Sequence, residues 1–226
     1  MIKFCHEVSR YLEKINYEHM KITFINGSPK ASGSASGAVL NDLRSCLGSH
    51  SIDEIHPGKP KITGEQLQQM RGADVLVFSF PLYVDSVPSG LLACMAALEK
   101  ELRGLPITVY AICNNGFYEG IQNRHALKVM KNWTVKAQLS WGRGLGIGCG
   151  GMLSGLSKVP AGKGPKKNLG KALTAFAANI SECSSDEDIF ITANFPRFLY
   201  KMMAHWEWKK EAGKNGKKVK DLYVKL

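Results

Sequence analysis

The segment KITFINGSPKASGSASGAVL, residues 21–40, decides the fold. Ile22-Thr23-Phe24-Ile25 is a short apolar, β-branched and aromatic run that reads as a buried strand, Lys21 to Asn26. It stops at Asn26-Gly27, a turn pair. From Ser28 to Ala38 the chain is mostly Ser, Gly and Ala, and at Val39-Leu40 an apolar pattern resumes at helical spacing. Strand, small-residue loop, helix is the opening of a unit whose next strand lies parallel to the first.

The rest of the chain repeats that alternation. Helix is expected over 36–47, with Val39, Leu40, Leu43 and Leu47 on one face, and a second strand over 51–56. A short helix is expected over 65–71. Asp74 to Phe80 is nearly continuously apolar, as for a strand covered on both faces. A loop with Pro81 and Pro88 leads to a helix over 89–103, and Ile107 to Cys113 is another buried strand. Helix is expected over 120–138, a glycine-diluted strand over 141–149, a Gly-, Ser- and Pro-rich loop over 150–165, and helices over 168–183 and 196–212. The pattern predicts an α/β protein, a parallel sheet with helices on both faces. Val8, Leu12 and Ile15 predict a helix in the first nineteen residues. The expected organisation is thus an N-terminal extension (1–19), one domain (20–195) and a basic C-terminal extension (196–226).

The gross numbers narrow the classes. The net charge is +11, and from Arg197 to Leu226 nine Lys or Arg face three Asp or Glu. No nucleic-acid-binding motif accompanies this charge, so nucleic acid is not an expected partner. No apolar run approaches the ~18 residues of a membrane span, and no secretory leader opens the sequence, so a cytoplasmic location is expected. Six dispersed cysteines form no C-x-x-C pair, and the six histidines show no H-E-x-x-H spacing; no metal site is expected. A G-x-S-x-G elbow is absent, which removes the common α/β hydrolase reading.

Three loops lie at strand ends where open α/β sheets bind ligands. In the first, Ser28, Ser32, Ser34 and Ser36 supply hydroxyls and Lys30 a cation, ahead of a helix N-terminus: the parts of a phosphate cradle. The loop is neither a Walker A sequence nor a dinucleotide fingerprint. In the second, Pro81, Leu82, Tyr83 and Val84 place apolar and aromatic bulk after a buried strand. In the third, Asn114, Asn115 and Gly116 offer hydrogen-bonding groups, and Phe117 and Tyr118 aromatic bulk. Together they suit a planar heterocycle carrying a phosphate. A G-x-G-x-x-G does occur at 146–151, but no helix opens after it, so it reads as a glycine-lined strand end and a wall of the site.

With INGSPK, ADVLVFSFPLYVDSVPSGLLACM and GFYEGIQNRHALKVM, the chain resembles the flavodoxin-like NAD(P)H-dependent FMN reductases and related NAD(P)H:quinone and azo-reducing flavoproteins. The likeness covers residues 20 to about 155. It implies a flavodoxin-like three-layer sandwich with a five-stranded parallel sheet in order 2-1-3-4-5. It implies FMN, its phosphate at Ser28, Lys30, Ser34, Ala35 and Ser36, its ring against Pro81, Leu82, Tyr83 and Val84, and its pyrimidine side at Asn114, Asn115, Gly116 and Phe117. The implied activity is hydride transfer from NAD(P)H through flavin N5 to a small electron acceptor such as a flavin or quinone. No side chain is assigned as a catalytic acid or base. A homodimer or higher homo-oligomer is implied, and no iron–sulfur cysteine motif is present. The rivals are a flavodoxin-type electron carrier, for which +11 has the wrong sign, and a flavin- or nucleotide-binding protein without redox chemistry.

Overall fold

The computed structural model describes residues 19–30, 32–57 and 62–223. The helix expected over residues 6–19 therefore lies, but for its last residue, outside the described residues. In chain order the elements are β1 (Lys21–Asn26), α1 (Ala35–Arg44), β2 (Ser51–Ile55), α2 (Gly64–Arg71), β3 (Val75–Pro81) and α3 (Ser89–Glu101). They continue with β4 (Thr108–Asn114), α4 (Arg124–Lys136), β5 (Ser140–Ile147), α5 (Lys167–Ser181), β6 (Ile189–Ile191) and α6 (Arg197–Lys214). The chain divides into two compact units. One ends at Ala193 and holds the whole sheet; the other, Asn194–Leu226, contains α6.

All five strand pairings are parallel, in the order β2-β1-β3-β4-β5-β6. The expected 2-1-3-4-5 order is found, with a sixth strand at the edge. Sequence reading missed β6 because it has only three residues, Ile189-Phe190-Ile191, all half-buried. So short a run carries no periodicity, and its pairing with Leu145–Ile147 exists only in three dimensions.

The two faces of the sheet are sorted by strand alternation. Leu76, Phe78 and Phe80 of β3 and Val109, Ala111 and Cys113 of β4 pack with α2, α3 and α4 through Met70, Met95 and Trp133. Val75, Val77, Tyr110 and Ile112 point the other way, onto Leu40 and Leu43 of α1 and Leu173 and Phe176 of α5. β3 and β4 are buried along nearly their entire length, which is why they read as unbroken apolar runs.

The sheet order places the site. From β1 the chain turns outward to β2, then crosses to β3 on the other side of β1. The loops leaving β1 and β3 diverge, and the crevice between them is where this class of sheet binds ligands.

Candidate functional site

The first loop is folded on itself. The Ser28 N–H donates to Asn26 Oδ1 at 3.2 Å, the Lys30 N–H to Ser28 Oγ at 3.2 Å, and Lys30 Nζ to the Gly33 carbonyl at 3.1 Å. Gly33 sits at φ +61°, a left-handed conformation that glycine adopts without strain. Ser34 then caps α1: its backbone is extended and its Oγ accepts from the Gly37 N–H at 3.0 Å. No acidic residue lies in the first turn of α1. A helix N-terminus, a capping hydroxyl that keeps its own proton to donate, and a lysine held across the loop make an anion-binding arrangement.

Asn114 stitches the three loops together. Its side-chain amide donates to Ser36 Oγ at 2.9 Å and to the Phe80 carbonyl at 3.1 Å. The Asn114 carbonyl accepts from the Leu82 N–H at 2.7 Å, and the Gly27 N–H donates to the Ser79 carbonyl at 2.8 Å. The expected residues of all three loops thus gather at one end of the sheet. Ser36 and Asn114 are buried and spend their side chains on each other. They hold the loops in place rather than presenting free hydroxyl and amide groups.

The second loop carries strain. Tyr83 and Ser86 exchange two backbone hydrogen bonds of 3.0 Å around a two-residue turn. Its central residues, Val84 and Asp85, both have positive φ, +48° and +55°. This conformation suits Asn-Gly; a β-branched residue there is a genuine outlier. Val84 is also 100 % exposed, with Tyr83 at 51 % and Phe117 at 56 %. Three large apolar side chains left in solvent at the ends of β3 and β4 are consistent with a flat apolar partner.

The glycine run 146–151 packs closely on its neighbours. A Cβ on Gly148 would come within 2.2 Å of the Tyr118 carbonyl oxygen, and one on Gly150 within 2.7 Å of that of Asn115. The run is therefore close backbone packing against the third loop, and Gly146 and Ile147 are the end of β5, the glycine-lined strand end that the sequence suggests. Asn115 is buried, and its side-chain amide donates to the Glu119 carbonyl at 3.2 Å, which fixes the third loop on itself.

Sequence reasoning missed a polar group on the β2 side of the first loop. The Asn26 side-chain amide donates to His56 Nε2 at 2.9 Å, and Glu54 Oε1 lies 3.5 Å from the same nitrogen. The β1–β2 register pairs Ile25 with Ile55, which brings Asn26 beside His56. A pairing of the two strands by hydrophobic alternation is the signal that would have found it. Among the described residues no group of three or more His, Cys, Asp or Glu is gathered as metal ligands would be. Burial pushes the Cys113 thiol at the end of β4 far above the ordinary range, so it stays protonated and unreactive.

No protein-family model and no curated protein sequence matches the chain. Solved structures do. An apo NADH:FMN oxidoreductase matches with a TM-score of 0.55 at 14% identity, over 74% of this chain and 91% of the other. An NADPH-quinone reductase from P. pentosaceus gives 0.52 at 14% identity, over 70% and 98%. A short-chain flavodoxin associated with a bacterial microcompartment gives 0.52 at 14% identity, over 74% and 100%. The fold is flavodoxin-like. Enzymes and a flavodoxin share this flavodoxin-like scaffold, so the argument for activity rests on the site.

The residues present fit a flavin mononucleotide. The first loop offers its phosphate a helix N-terminus and a lysine, and Tyr83, Val84 and Phe117 offer its ring apolar cover.

Proposed function

We propose that the protein is an FMN-dependent oxidoreductase that passes reducing equivalents from NAD(P)H to a small electron acceptor. The observation that carries this reading is the convergence, through Asn114, of a hydroxyl- and lysine-bearing anion loop with a strained, solvent-exposed apolar turn. When bound, FMN supplies the two-electron chemistry, taking hydride at N5 and passing electrons on to flavin, quinone or a similar acceptor.

The chain's own residues bind and orient. Lys30 and the Ser28 and Ser34 hydroxyls neutralise and hold the phosphate, joined by the backbone N–H groups of Ala35 and Ser36 at the start of α1. Pro81, Leu82, Tyr83 and Val84 cover the ring. The loop of Asn114, Asn115 and Gly116 borders its pyrimidine edge, and Phe117 closes the rim. No side chain is required as an acid or base. An NADH:FMN oxidoreductase and an NADPH-quinone reductase among the solved structures agree with this reading. So does the charge of +11, opposite to that of a carrier docking on positively charged partners. A homodimer or higher homo-oligomer in the cytoplasm completes the proposal; no described helix is long and apolar enough to cross a membrane.

The deciding experiment is the visible spectrum of the purified protein before and after anaerobic NADPH or NADH. A yellow protein that bleaches is expected. A colourless protein that also ignores added FMN overturns the reading; bound flavin that neither nucleotide reduces moves it to a carrier or a non-redox binder.

A further inference from the structure

The helix α6 has the sequence pattern of a helix with a buried face, yet that face lies in water. Phe198, Met202 and Trp206 recur one turn apart, and Leu199 and Met203 fall beside them, so the five form one apolar stripe. In α1 and α5 the residues of such a stripe, Leu40 and Leu43, Leu173 and Phe176, are buried on the sheet. On α6, Phe198, Met202, Met203 and Trp206 are between 48% and 71% exposed, and only Ala212 of the helix is buried. A contiguous apolar patch left open in this way marks a surface that meets something.

The charge around the stripe identifies what it meets. From Arg197 to Leu226 nine Lys or Arg face three Asp or Glu, a net charge of +6. Lys209 follows Met202 by two turns and Lys210 follows Trp206 by one, so the two lysines flank the end of the stripe, while Glu207 and Glu211 are turned away from it. Lys210 Nζ lies 5.2 Å from the centre of the Trp206 ring, which places a cation and an indole together. Tryptophan beside lysines, whose stems lie along apolar surface while their ammonium groups stay in water, suits the boundary between lipid headgroups and acyl chains. With 18 residues and charges along its length, α6 is not long and apolar enough to cross a membrane; the pattern is that of a helix lying in the interface. A second copy of the chain would bring another unit of the same charge against this one, whereas anionic headgroups bring the complementary sign.

We propose that α6 docks on an anionic lipid surface, with Phe198, Met202, Met203 and Trp206 entering the boundary between headgroups and acyl chains and Lys209 and Lys210 meeting the headgroup phosphates. The inference rests on α6 alone and is independent of the flavin reading.

Flotation of the full chain across a lipid titration tests it, with vesicles of phosphatidylcholine alone and of an equal mixture of phosphatidylcholine and phosphatidylglycerol. Binding to the mixed vesicles is expected to be at least about tenfold tighter than to the neutral ones and to weaken as salt rises. It is accompanied by a blue shift of tryptophan emission that Trp206→Phe largely removes. Lys209→Gln with Lys210→Gln, and Met202→Ser with Met203→Ser, each lower the binding by roughly tenfold. All four side chains are exposed, so both double variants keep the melting temperature of the unmodified protein. Equal binding to the two kinds of vesicle, or binding that neither double variant weakens, overturns the proposal. A chain that ignores both vesicles also overturns it: an assembly that Met202→Ser with Met203→Ser dissociates in light scattering then makes the stripe a contact between copies, and an unchanged mass assigns it to another partner.

Discussion

At the scale of single residues, the first loop separates groups that tie the loops together from groups left open to solvent. Ser36 looks equivalent to Ser34 in sequence, yet it is buried against Asn114, and a charge placed there would break the fold rather than probe a phosphate. Lys30 is the informative position, because its residue is exposed and its ammonium donates to the Gly33 carbonyl. Lys30→Ala is expected to weaken FMN binding by about 1.5–3 kcal/mol, the range for a charge-assisted hydrogen bond, with little change in unfolding midpoint; fluorescence titration and thermal melts measure the two. Val84 gives the opposite pattern. Its positive φ costs of order 1 kcal/mol, so Val84→Gly is expected to raise stability by about that amount in urea unfolding. The same change removes apolar cover and lowers flavin affinity.

At the scale of elements, helix placement depends on a buried ion pair that sequence patterning does not reveal. Lys166, just ahead of α5, is 2% exposed, and its Nζ lies 2.5 Å from Asp42 Oδ2 on α1. The pair ties together the two helices that cover one face of the sheet. Asp42→Ala leaves a buried ammonium without a partner and is expected to cost about 3–5 kcal/mol in denaturant unfolding. Replacing both partners with Leu and Met recovers most of that loss. β1, β3 and β4 were legible in sequence because both their faces are buried, which makes each an unbroken apolar run. α1 was legible from Val39, Leu40 and Leu43 on one face. The loop expected over 150–165 contains three short 3-10 turns, whose single-turn length leaves no pattern to read.

At the scale of the whole molecule, pH acts through a histidine that ties the starts of β1 and β2 to the end of α5. His50, ahead of β2, accepts from the Met20 N–H at Nδ1 (3.4 Å) and meets Ser181 Oγ at the end of α5 through Nε2 (3.1 Å). Burial, and then the neighbouring His19, hold its pKa below the ordinary histidine range. The folded state therefore favours the neutral ring, and the unfolded chain takes up the proton first. The stability this group contributes is complete above about pH 6.5 and is lost as pH falls through the lowered folded value. The difference in melting temperature between pH 8 and pH 5 is expected to be smaller in His50→Asn than in the unmodified protein.

Local sequence alone was enough for the α/β alternation, the parallel sheet and the three loops at its one end. Those features rest on local chemistry: β-branched runs buried on both faces, glycine and serine at turns, and a capping residue before a helix. Tertiary structure decided the rest. β6 exists only through its pairing with β5, Ser36 is withdrawn from solvent by Asn114 on a strand 78 positions away, and Asn26, Glu54 and His56 meet only because β2 lies parallel to β1. Such contacts join residues far apart in the chain, so their energies leave no local pattern and arise only when the sheet has closed.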